Sequence, residues 1–365
     1  MRGLMAMEYE EVRNDYYDDY SEATDAMPPS DIVTYTELRS IADLFRMHKQ
    51  GALDVQPDFQ REEVWSAASQ TRFIDSLVKQ LPIPSLCLGF DFKKQKWQVI
   101  DGLQRLRSAF RFLDTDNPWK MGRLDDIDPR LSGRNNTDFQ TDSNLQLVRR
   151  IVENTVLPIT VVRCNSEDSD HKNYLFKIFR RLNTGGVKLS NQEIRNCIYG
   201  GPFNDMLNEI NSSELWIEVS PFKKPFGYRF RGQELILRIF AFSDSYSSYK
   251  GNLASFLNDF MDEHKDCDNE VLEKMHEGFV ATLKAIEKID RDRIAILSKT
   301  VFEALMVGMY SNRSRIDELD KIALTQRLDK MLKRPQFSKE SLSEGLSSRE
   351  KLVSRIKTAC EVFQQ

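Results

Sequence analysis

Hydrophobic and polar positions follow two different patterns along the chain, and the change falls near its middle. Before about residue 165, short apolar runs alternate with segments of helical periodicity. The runs at 86–90, 97–100 and 157–162 predict strands, and the first two are joined as a hairpin. Helical spacing alone continues through residues 234–242, 269–289, 299–310, 317–332 and 350–363. The pattern therefore predicts an α/β N-terminal domain followed by an all-helical domain.

Serine and threonine residues mark where several of the predicted helices begin. Thr36 follows a short predicted strand at 32–35 and is expected to cap the first helix, and Ser66 is expected to cap the second. Ser190 and Glu193 have the spacing of a capping box, in which each side chain bonds the other residue's backbone N–H.

Residues 114–147 interrupt the regular pattern with a long polar stretch. The segment contains several turn-forming pairs, such as Asn117-Pro118, and shows no sustained helical or strand period. Structureless connections of this length are uncommon in compact domains and are often functional. We therefore expect a long excursion or a lid.

The N-terminus is strongly acidic. Residues 8–31 hold nine acidic side chains and one arginine, and they have too little aliphatic surface to pack a core. This composition predicts a flexible tail, with docking on a basic groove as the functional alternative. The predicted organisation is then an acidic tail over 1–30, an α/β domain over 31–200 and a helical domain over 201–365.

The composition argues against several classes of protein, including bulk nucleic-acid binders, membrane proteins and metal-binding proteins. The 365 residues carry 52 basic and 56 acidic side chains, so the net charge of −4 argues against binding nucleic acid by bulk charge and leaves room for a local basic groove. No apolar run is long enough for a transmembrane helix, and no secretory signal is apparent. The five cysteines form no CxxC pair and the four histidines have no metal-ligand spacing. We expect a cytoplasmic protein with no membrane partner and no protein-bound metal.

The stretch with the clearest chemistry joins a predicted strand to a predicted helix through Asp101 and Gly102. Glycine lets backbone N–H groups approach a ligand, and a helix N-terminus favours anions. Arg105 adds a forked cation suited to phosphate, Asp101 could hold Mg²⁺ or orient a water molecule, and Gln104 could position that water or read a base. The structural alternative is an ordinary Asp-Gly turn.

Two weaker stretches add polar side chains. Gln60 and Arg61 lie between two aromatic residues, where they could reach a phosphate or a base, or where the arginine could satisfy a helix end. Arg180 and Asn183 lie at the end of a predicted helix, before Gly185-Gly186. They could form a wall of an anion pocket, or the arginine could compensate the helix dipole.

These motifs occur in a fixed order. The chain reads Pro57-Asp58-Phe59-Gln60-Arg61 with Trp65, Leu81-Pro82-Ile83-Pro84-Ser85-Leu86, Asp101-Gly102-Leu103-Gln104-Arg105, Phe179 through Gly186, and Leu189 with Gln192-Glu193-Ile194-Arg195-Asn196. In this order they resemble the family called domain of unknown function 262, the N-terminal domain of GmrSD-type modification-dependent restriction enzymes. The resemblance covers residues from about 32 to 205.

The resemblance implies a ParB/sulfiredoxin-like α+β fold, nucleoside-triphosphate binding and hydrolysis, and a role in bacterial defence against phage or modified DNA. It implies Mg²⁺ as the cation that accompanies the NTP. Carried over residue by residue, the catalytic group would be Asp101, Gln104 and Arg105. The nucleotide-binding residues would be Gln60, Arg61, Gly102, Arg180 and Asn183.

Two departures from the family pattern matter. Leu103 stands where the family has a glutamine, and leucine cannot form a hydrogen bond. Hydrolysis could therefore be lost while binding remains. The His-Asn-His nuclease motif that many relatives carry is not found, so we expect a separate nuclease or effector subunit, or a sensor.

The alternatives are a non-enzymatic ParB-like DNA-binding protein and a nucleotide-sensing scaffold. The DNA-binding alternative requires a basic, salt-sensitive face. The scaffold alternative rests on Leu103, because a degenerate pocket would bind nucleotide weakly or not at all. Oligomerisation is compatible with each of these hypotheses.

Overall fold

The computed structural model describes residues 29–55, 65–182, 190–220 and 230–365. The chain divides into two compact units, and the division falls between Leu189 and Ser190. The first unit holds a β-sheet with helices, and the described part of the second is helical. This confirms the predicted fold class. The predicted tail lies outside the described residues up to residue 28.

A five-stranded mixed sheet forms the first unit's framework. Its strands are β1 (Val33–Ser40), β2 (Leu53–Asp54), β3 (Leu86–Asp91), β4 (Lys96–Asp101) and β5 (Val156–Cys164). The spatial order is β1-β5-β3-β4-β2. β1 pairs with β5 and β3 with β4 in antiparallel fashion, whereas β5 with β3 and β4 with β2 are parallel. The predicted hairpin and the predicted buried strand at 157–162 are confirmed.

The start of the chain departs from the prediction. β1 continues to Ser40, because it pairs with β5 over eight residues, so the expected cap at Thr36 is wrong. Ser40 caps the following helix by accepting a hydrogen bond from the backbone N–H of Asp43. The helical spacing that begins at Leu38 had hidden this strand. The cap at Ser66 is confirmed, since its hydroxyl accepts from the backbone N–H of Ser69.

Helices cover both faces of the sheet. In this unit they are α1 (Ile41–Lys49), α2 (Ala67–Val78), α3 (Leu103–Leu113), α4 (Asp138–Thr141), α5 (Gln146–Asn154) and α6 (Ser169–Leu182). The apolar faces of α1, α2, α3 and α5 share one core with the sheet, centred on side chains such as Leu86, Phe112 and Ile159. α6 contacts β4 and buries apolar side chains of its own.

Of the two alternatives for residues 114–147, a long excursion or a lid, the structure shows an excursion that packs onto the domain. Trp119, Leu131 and Phe139 of this segment are buried in the main core, and α4 and the start of α5 lie within it. Asn136 is fully buried and ties the segment down: its amide nitrogen donates to the backbone oxygens of Arg111 and Asp114. Scattered apolar anchors at irregular spacing gave no periodic signal, yet together they pack the excursion onto the domain.

The second unit contains only helices among its described residues. They are α7 (Asn191–Ile198), α8 (Pro202–Ser212), α9 (Glu214–Val219), α10 (Arg231–Ser245), α11 (Leu253–His264), α12 (Asn269–Glu287), α13 (Arg291–Ala295), α14 (Lys299–Ser311), α15 (Arg313–Ile316), α16 (Lys321–Leu332) and α17 (Arg349–Gln364), with short 3₁₀ turns at Tyr246–Ser248 and Pro335–Phe337. α14 is buried on all sides and packs on α10, α12 and α17. The Ser190–Glu193 capping box is confirmed. None of the described helices combines the length and apolarity needed to cross a membrane.

Candidate functional site

The end of β4 and the start of α3 place Asp101, Gly102, Gln104 and Arg105 at one end of the sheet. In the β3–β4 ladder Cys87 pairs with Asp101 but Leu88 pairs with Val99, so Ile100 is an extra residue. A β-bulge of this kind re-aims the side chain that follows it. Asp101 is that side chain, and the alternating sequence pattern gave no sign of the bulge.

Gly102 is required by the turn on two grounds. Its φ is +95°, a conformation that side chains other than glycine rarely adopt. A Cβ placed there would also lie 2.2 Å from Cδ2 of Leu86, which is buried in the core. The backbone therefore passes close over the sheet, and α3 begins directly after it.

Arg105 joins the backbone at Pro84 to the side chain of Asp101. Its Nη1 donates to the carbonyl oxygen of Pro84 at 2.5 Å, and its Nη2 donates to Oδ2 of Asp101 at 2.9 Å. The Arg105 side chain is 15% exposed, whereas that of Asp101 is 43% exposed. The arginine thus fixes one oxygen of the carboxylate, and the carboxylate remains open to solvent.

Gln104 and Leu103 point their side chains into different surroundings. The Nε2 of Gln104 is buried and has no hydrogen-bond partner within the described part of the chain. A buried amide donor without a partner costs about 1–3 kcal/mol, which makes it a candidate contact for a bound group. Leu103 packs at the edge of the main core. It therefore contributes apolar packing that the family's glutamine would not.

The N-terminus of α3 has no side-chain cap, since Gly102 occupies the capping position. The helix has eleven residues and begins two positions after Asp101. Uncapped N–H groups at a helix start carry a partial positive charge and favour anions.

A second line of polar contacts follows α3 away from this turn. Arg107 donates to the carbonyl of Val55 at 3.4 Å, and Arg111 donates to Oε1 of Gln70 at 3.1 Å. Nε2 of Gln70 in turn donates to the carbonyl of Trp65. Val55 and Trp65 flank residues 56–64 in the sequence. The sequence did not predict these contacts. The spacing of three and four residues between Gln104, Arg107 and Arg111 could have indicated that they share one face of α3.

The structure does not show the other four predicted site residues at this turn. Gln60, Arg61 and Asn183 lie outside the described residues. Arg180 is exposed in the last turn of α6. Within the described ranges, no hydrogen bond or ion pair joins Arg180 to Asp101 or Arg105. Pro84, whose carbonyl accepts from Arg105, was named in the sequence only as part of the motif at residues 81–86.

The thiol of Cys87, which pairs with Asp101 in the β3–β4 ladder, is unreactive at neutral pH. Burial, reinforced by the charge of the Asp101 carboxylate across the ladder, raises the pKa of Cys87 to about 12. A thiol with this pKa is protonated at neutral pH, and the thiolate is the nucleophilic form. Cys87 therefore belongs to the packing of the sheet and not to the reactive groups of the site.

A groove of about 650 Å³ opens at the same end of the sheet, between the end of α2, α5 and the start of β5. Its lining mixes apolar side chains, among them Leu81, Ile83, Leu147 and Val156, with polar ones such as Arg150 and Asn154. None of the predicted site residues that the structure describes lines it. No cluster of three or more histidine, cysteine or acidic residues suited to a metal ion occurs among the described residues.

The comparisons with known proteins agree with the ordered motifs. Residues 41–200 match the model of one family, described as GmrSD restriction endonuclease, N-terminal domain. No curated protein and no solved structure matches the chain. The match contains the whole β4–α3 site and extends into α7 of the helical unit. Residues 41–200 are therefore a GmrSD restriction endonuclease N-terminal domain, as the resemblance predicted.

Proposed function

We propose that the chain is a nucleotide-binding and NTP-hydrolysing component of a restriction-type defence system. The family of residues 41–200 supports the restriction context. One observation carries the nucleotide assignment: the uncapped start of α3 directly follows Asp101, whose carboxylate is partly exposed, and its first turn contains Gln104, whose Nε2 has no partner among the described residues. Two donors and one acceptor at a single helix start suit a phosphate and its attacking water.

Each residue then has a distinct task. The N–H groups after Gly102 and the Nε2 of Gln104 bind phosphate oxygens. The carboxylate of Asp101 orients the attacking water or binds the Mg²⁺ that accompanies the NTP, a cation that commonly takes a single protein carboxylate and neutralises phosphate charge. Arg105 acts through Asp101, because it holds Oδ2 of that carboxylate and the backbone at Pro84. Gln60, Arg61, Arg180 and Asn183 remain further phosphate ligands in this proposal.

Phosphate release from ATP, GTP, CTP and UTP with Mg²⁺ tests the proposal, together with a nucleotide-binding titration. We expect Asp101→Asn to lower turnover by about 10²–10⁴-fold with little change in binding, the range for loss of a positioned acid–base group. Gln104→Ala should weaken nucleotide binding. Asp116→Asn is the matched control for the carboxylate, since that side chain is 85% exposed. Gln140→Ala is the exposed control for the amide.

The outcomes separate the alternatives. Binding without turnover in the wild type would indicate a sensor disabled at Leu103, and Leu103→Gln would then test whether hydrolysis returns. Absence of both binding and turnover would contradict the proposal. The DNA-binding alternative draws on a basic face predicted around Arg105, Arg107, Arg111, Arg180, Arg181, Arg229 and Arg231. Arg180 and Arg181 are exposed at the end of α6, and Arg229 lies outside the described residues. This alternative requires a DNA affinity that falls steeply between two salt concentrations.

A further inference from the structure

β1 forms an edge of the sheet whose outer side is unpaired within the described residues. It runs for eight residues, Val33–Ser40, and pairs there with β5 alone. The ladder with β5 continues from one end of the strand to the other without a bulge. The outer side therefore presents a regular row of backbone N–H and C=O groups, which is a template for another strand.

The usual protections of an edge strand are weak here. β1 contains no proline and no lysine, and its side chains include the exposed apolar residues Val33, Tyr35 and Leu38. Leu38 is 70% exposed. Two charged residues of opposite sign lie two positions apart, Glu37 and Arg39, and their side chains are 25% and 24% exposed. Nε of Arg39 binds Oε1 of Glu37 at 2.5 Å, and its Nη1 binds Oδ2 of Asp43 on α1 at 3.0 Å. A neighbouring strand whose charges are all of one sign would meet a like charge at Glu37 or at Arg39. An antiparallel strand with the same two charges would place a positive charge opposite Glu37 and a negative charge opposite Arg39.

We propose that β1 pairs in antiparallel fashion with β1 of a second copy of this chain, around a two-fold axis at Leu38. An antiparallel pair related by a two-fold axis must place one residue opposite its own copy. With Leu38 at the axis, Glu37 of each copy lies opposite Arg39 of the other, so two cross-strand ion pairs form. Opposite charges across a ladder are favourable, whereas like charges are unfavourable.

The neighbouring registers are poorer. An axis at Glu37 would place the two Glu37 carboxylates against each other. An axis at Thr36 would place Glu37 opposite Tyr35 and leave Arg39 opposite Val33, with no ion pair across the ladder. The charge pattern of the strand therefore favours the register with the two-fold axis at Leu38. A second copy of β1 always carries the matching charges, because it has the same sequence.

The apolar face of the strand supports the same register. Leu38 lies on the opposite face of the sheet from Glu37 and Arg39, because side chains alternate along a strand. The axis brings the two exposed Leu38 side chains into contact. Val156 of β5 pairs with Ser40, so it lies on the same face of the sheet as Leu38. It is 52% exposed and extends this apolar face in each copy. Pairing thus covers both an open backbone edge and exposed aliphatic surface.

Charge reversal with complementation tests the interface. In sedimentation-velocity experiments over a range of micromolar concentrations, the wild type should reach twice the 42.5 kDa chain mass. Glu37→Arg and Arg39→Glu should each weaken self-association by about tenfold or more, because each places like charges opposite. An equimolar mixture of the two variants should form a heterodimer, since the two arginines of one variant strand then lie opposite the two glutamates of the other.

Glu270→Arg is the control, a reversal at a 79% exposed carboxylate of the helical unit that should leave self-association unchanged. Leu38→Lys is a second disrupting variant in case a charge reversal unfolds the protein, which circular dichroism would show. A wild type that stays monomeric throughout, or variants that associate like the wild type, would overturn the proposal. A mixture that fails to associate while each variant is folded and monomeric would overturn the register at Leu38.

Discussion

At the scale of single residues, the role of a side chain depends on partners distant in sequence. Arg105 was predicted as a phosphate ligand, but its guanidinium contacts the Pro84 carbonyl, 21 residues earlier, and the Asp101 carboxylate. Asp91 is a parallel case outside the site. It is buried, its Oδ1 accepts from the backbone N–H groups of Lys93 and Lys94, and its Oδ2 accepts from that of Ser166. One carboxylate thus joins the hairpin turn to the loop before α6.

The Asp91 carboxylate makes stability depend on pH. Burial favours the neutral acid, but the hydrogen bonds from Ser166, Lys94 and Lys93 outweigh it, so the pKa of Asp91 lies below the ordinary 3.8. A lowered folded-state pKa adds stability above the unfolded-state value, and that stability is lost as pH falls through the folded-state pKa. We expect Asp91→Asn to lower the free energy of unfolding at pH 7 by about 1–3 kcal/mol, as for hydrogen bonds to a charged group.

Urea unfolding of wild type and Asp91→Asn at several pH values measures this effect. The difference between the two proteins should be constant from pH 7 to about pH 5 and should shrink below about pH 4. Asp116→Asn serves as the exposed control and should unfold like the wild type at neutral pH. A difference that stays the same down to about pH 3 would contradict the assignment of the effect to the charge of Asp91.

At the scale of elements, glycines set how closely helices and strands approach. Gly308, in the middle of α14, faces the backbone of α17: a Cβ there would lie 2.9 Å from the carbonyl carbon and oxygen of Ala359. Gly278, in the middle of α12, meets only side chains, and the nearest atom is Cδ of Arg313 at 2.8 Å. Both are interior helix positions, so the two glycines differ in what surrounds them and not in helix propensity.

Substitution of the two glycines should therefore have opposite effects. Alanine has a helix propensity about 1 kcal/mol better than glycine, and Gly278→Ala should keep most of this gain once the flexible Arg313 side chain moves. Gly308→Ala must push two helix backbones apart, so we expect a net loss of about 1–3 kcal/mol, as for overpacked cores. Thermal unfolding followed by circular dichroism compares them. Equal shifts in Tm would show that backbone contact does not limit the approach of α14 and α17.

At the scale of the whole molecule, each unit has its own core, and the core of the helical unit contains a buried ion network. Arg195 of α7 and Arg238 of α10 both bind Glu234, and Nε of Arg238 lies 2.6 Å from Oε2 of Glu303 on α14. All four side chains are buried. The network links three helices, and it includes Arg195 of the motif that the family match extends to.

Removing one charge from this network should destabilise the helical unit strongly. Glu303→Gln keeps the shape of the side chain but leaves the buried Arg238 undercompensated, which costs about 3–5 kcal/mol when a buried pair is broken. Glu270→Gln removes a carboxylate from the exposed pair with Lys274 and should cost less than about 1 kcal/mol. Urea unfolding of both variants measures the difference. Equal small effects would contradict a structural role for the network.

The sequence predicted features that depend on neighbouring residues better than features that depend on distant ones. Ser66 and the Ser190–Glu193 box were predicted correctly because a cap needs only neighbouring residues. The end of β1 and the packed segment 114–147 were missed, since pairing with β5 and burial of Trp119 and Phe139 depend on residues far away in the chain. The predicted roles of the site residues remain predictions, and the structure adds the contacts on which their tests rest.

Local stretches of sequence were enough to predict the order of most strands and helices, the position of the Asp101-Gly102 turn and the family of residues 41–200. These features depend on periodicity, capping and ordered motifs, which short stretches of chain encode. Which groups at the turn are already engaged emerged only in three dimensions. In the folded chain the Pro84 carbonyl meets Arg105, a bulge precedes Asp101 in the β3–β4 ladder, and β1 lies at the edge of the sheet. These features depend on hydrogen bonding and burial between segments that are distant in the sequence.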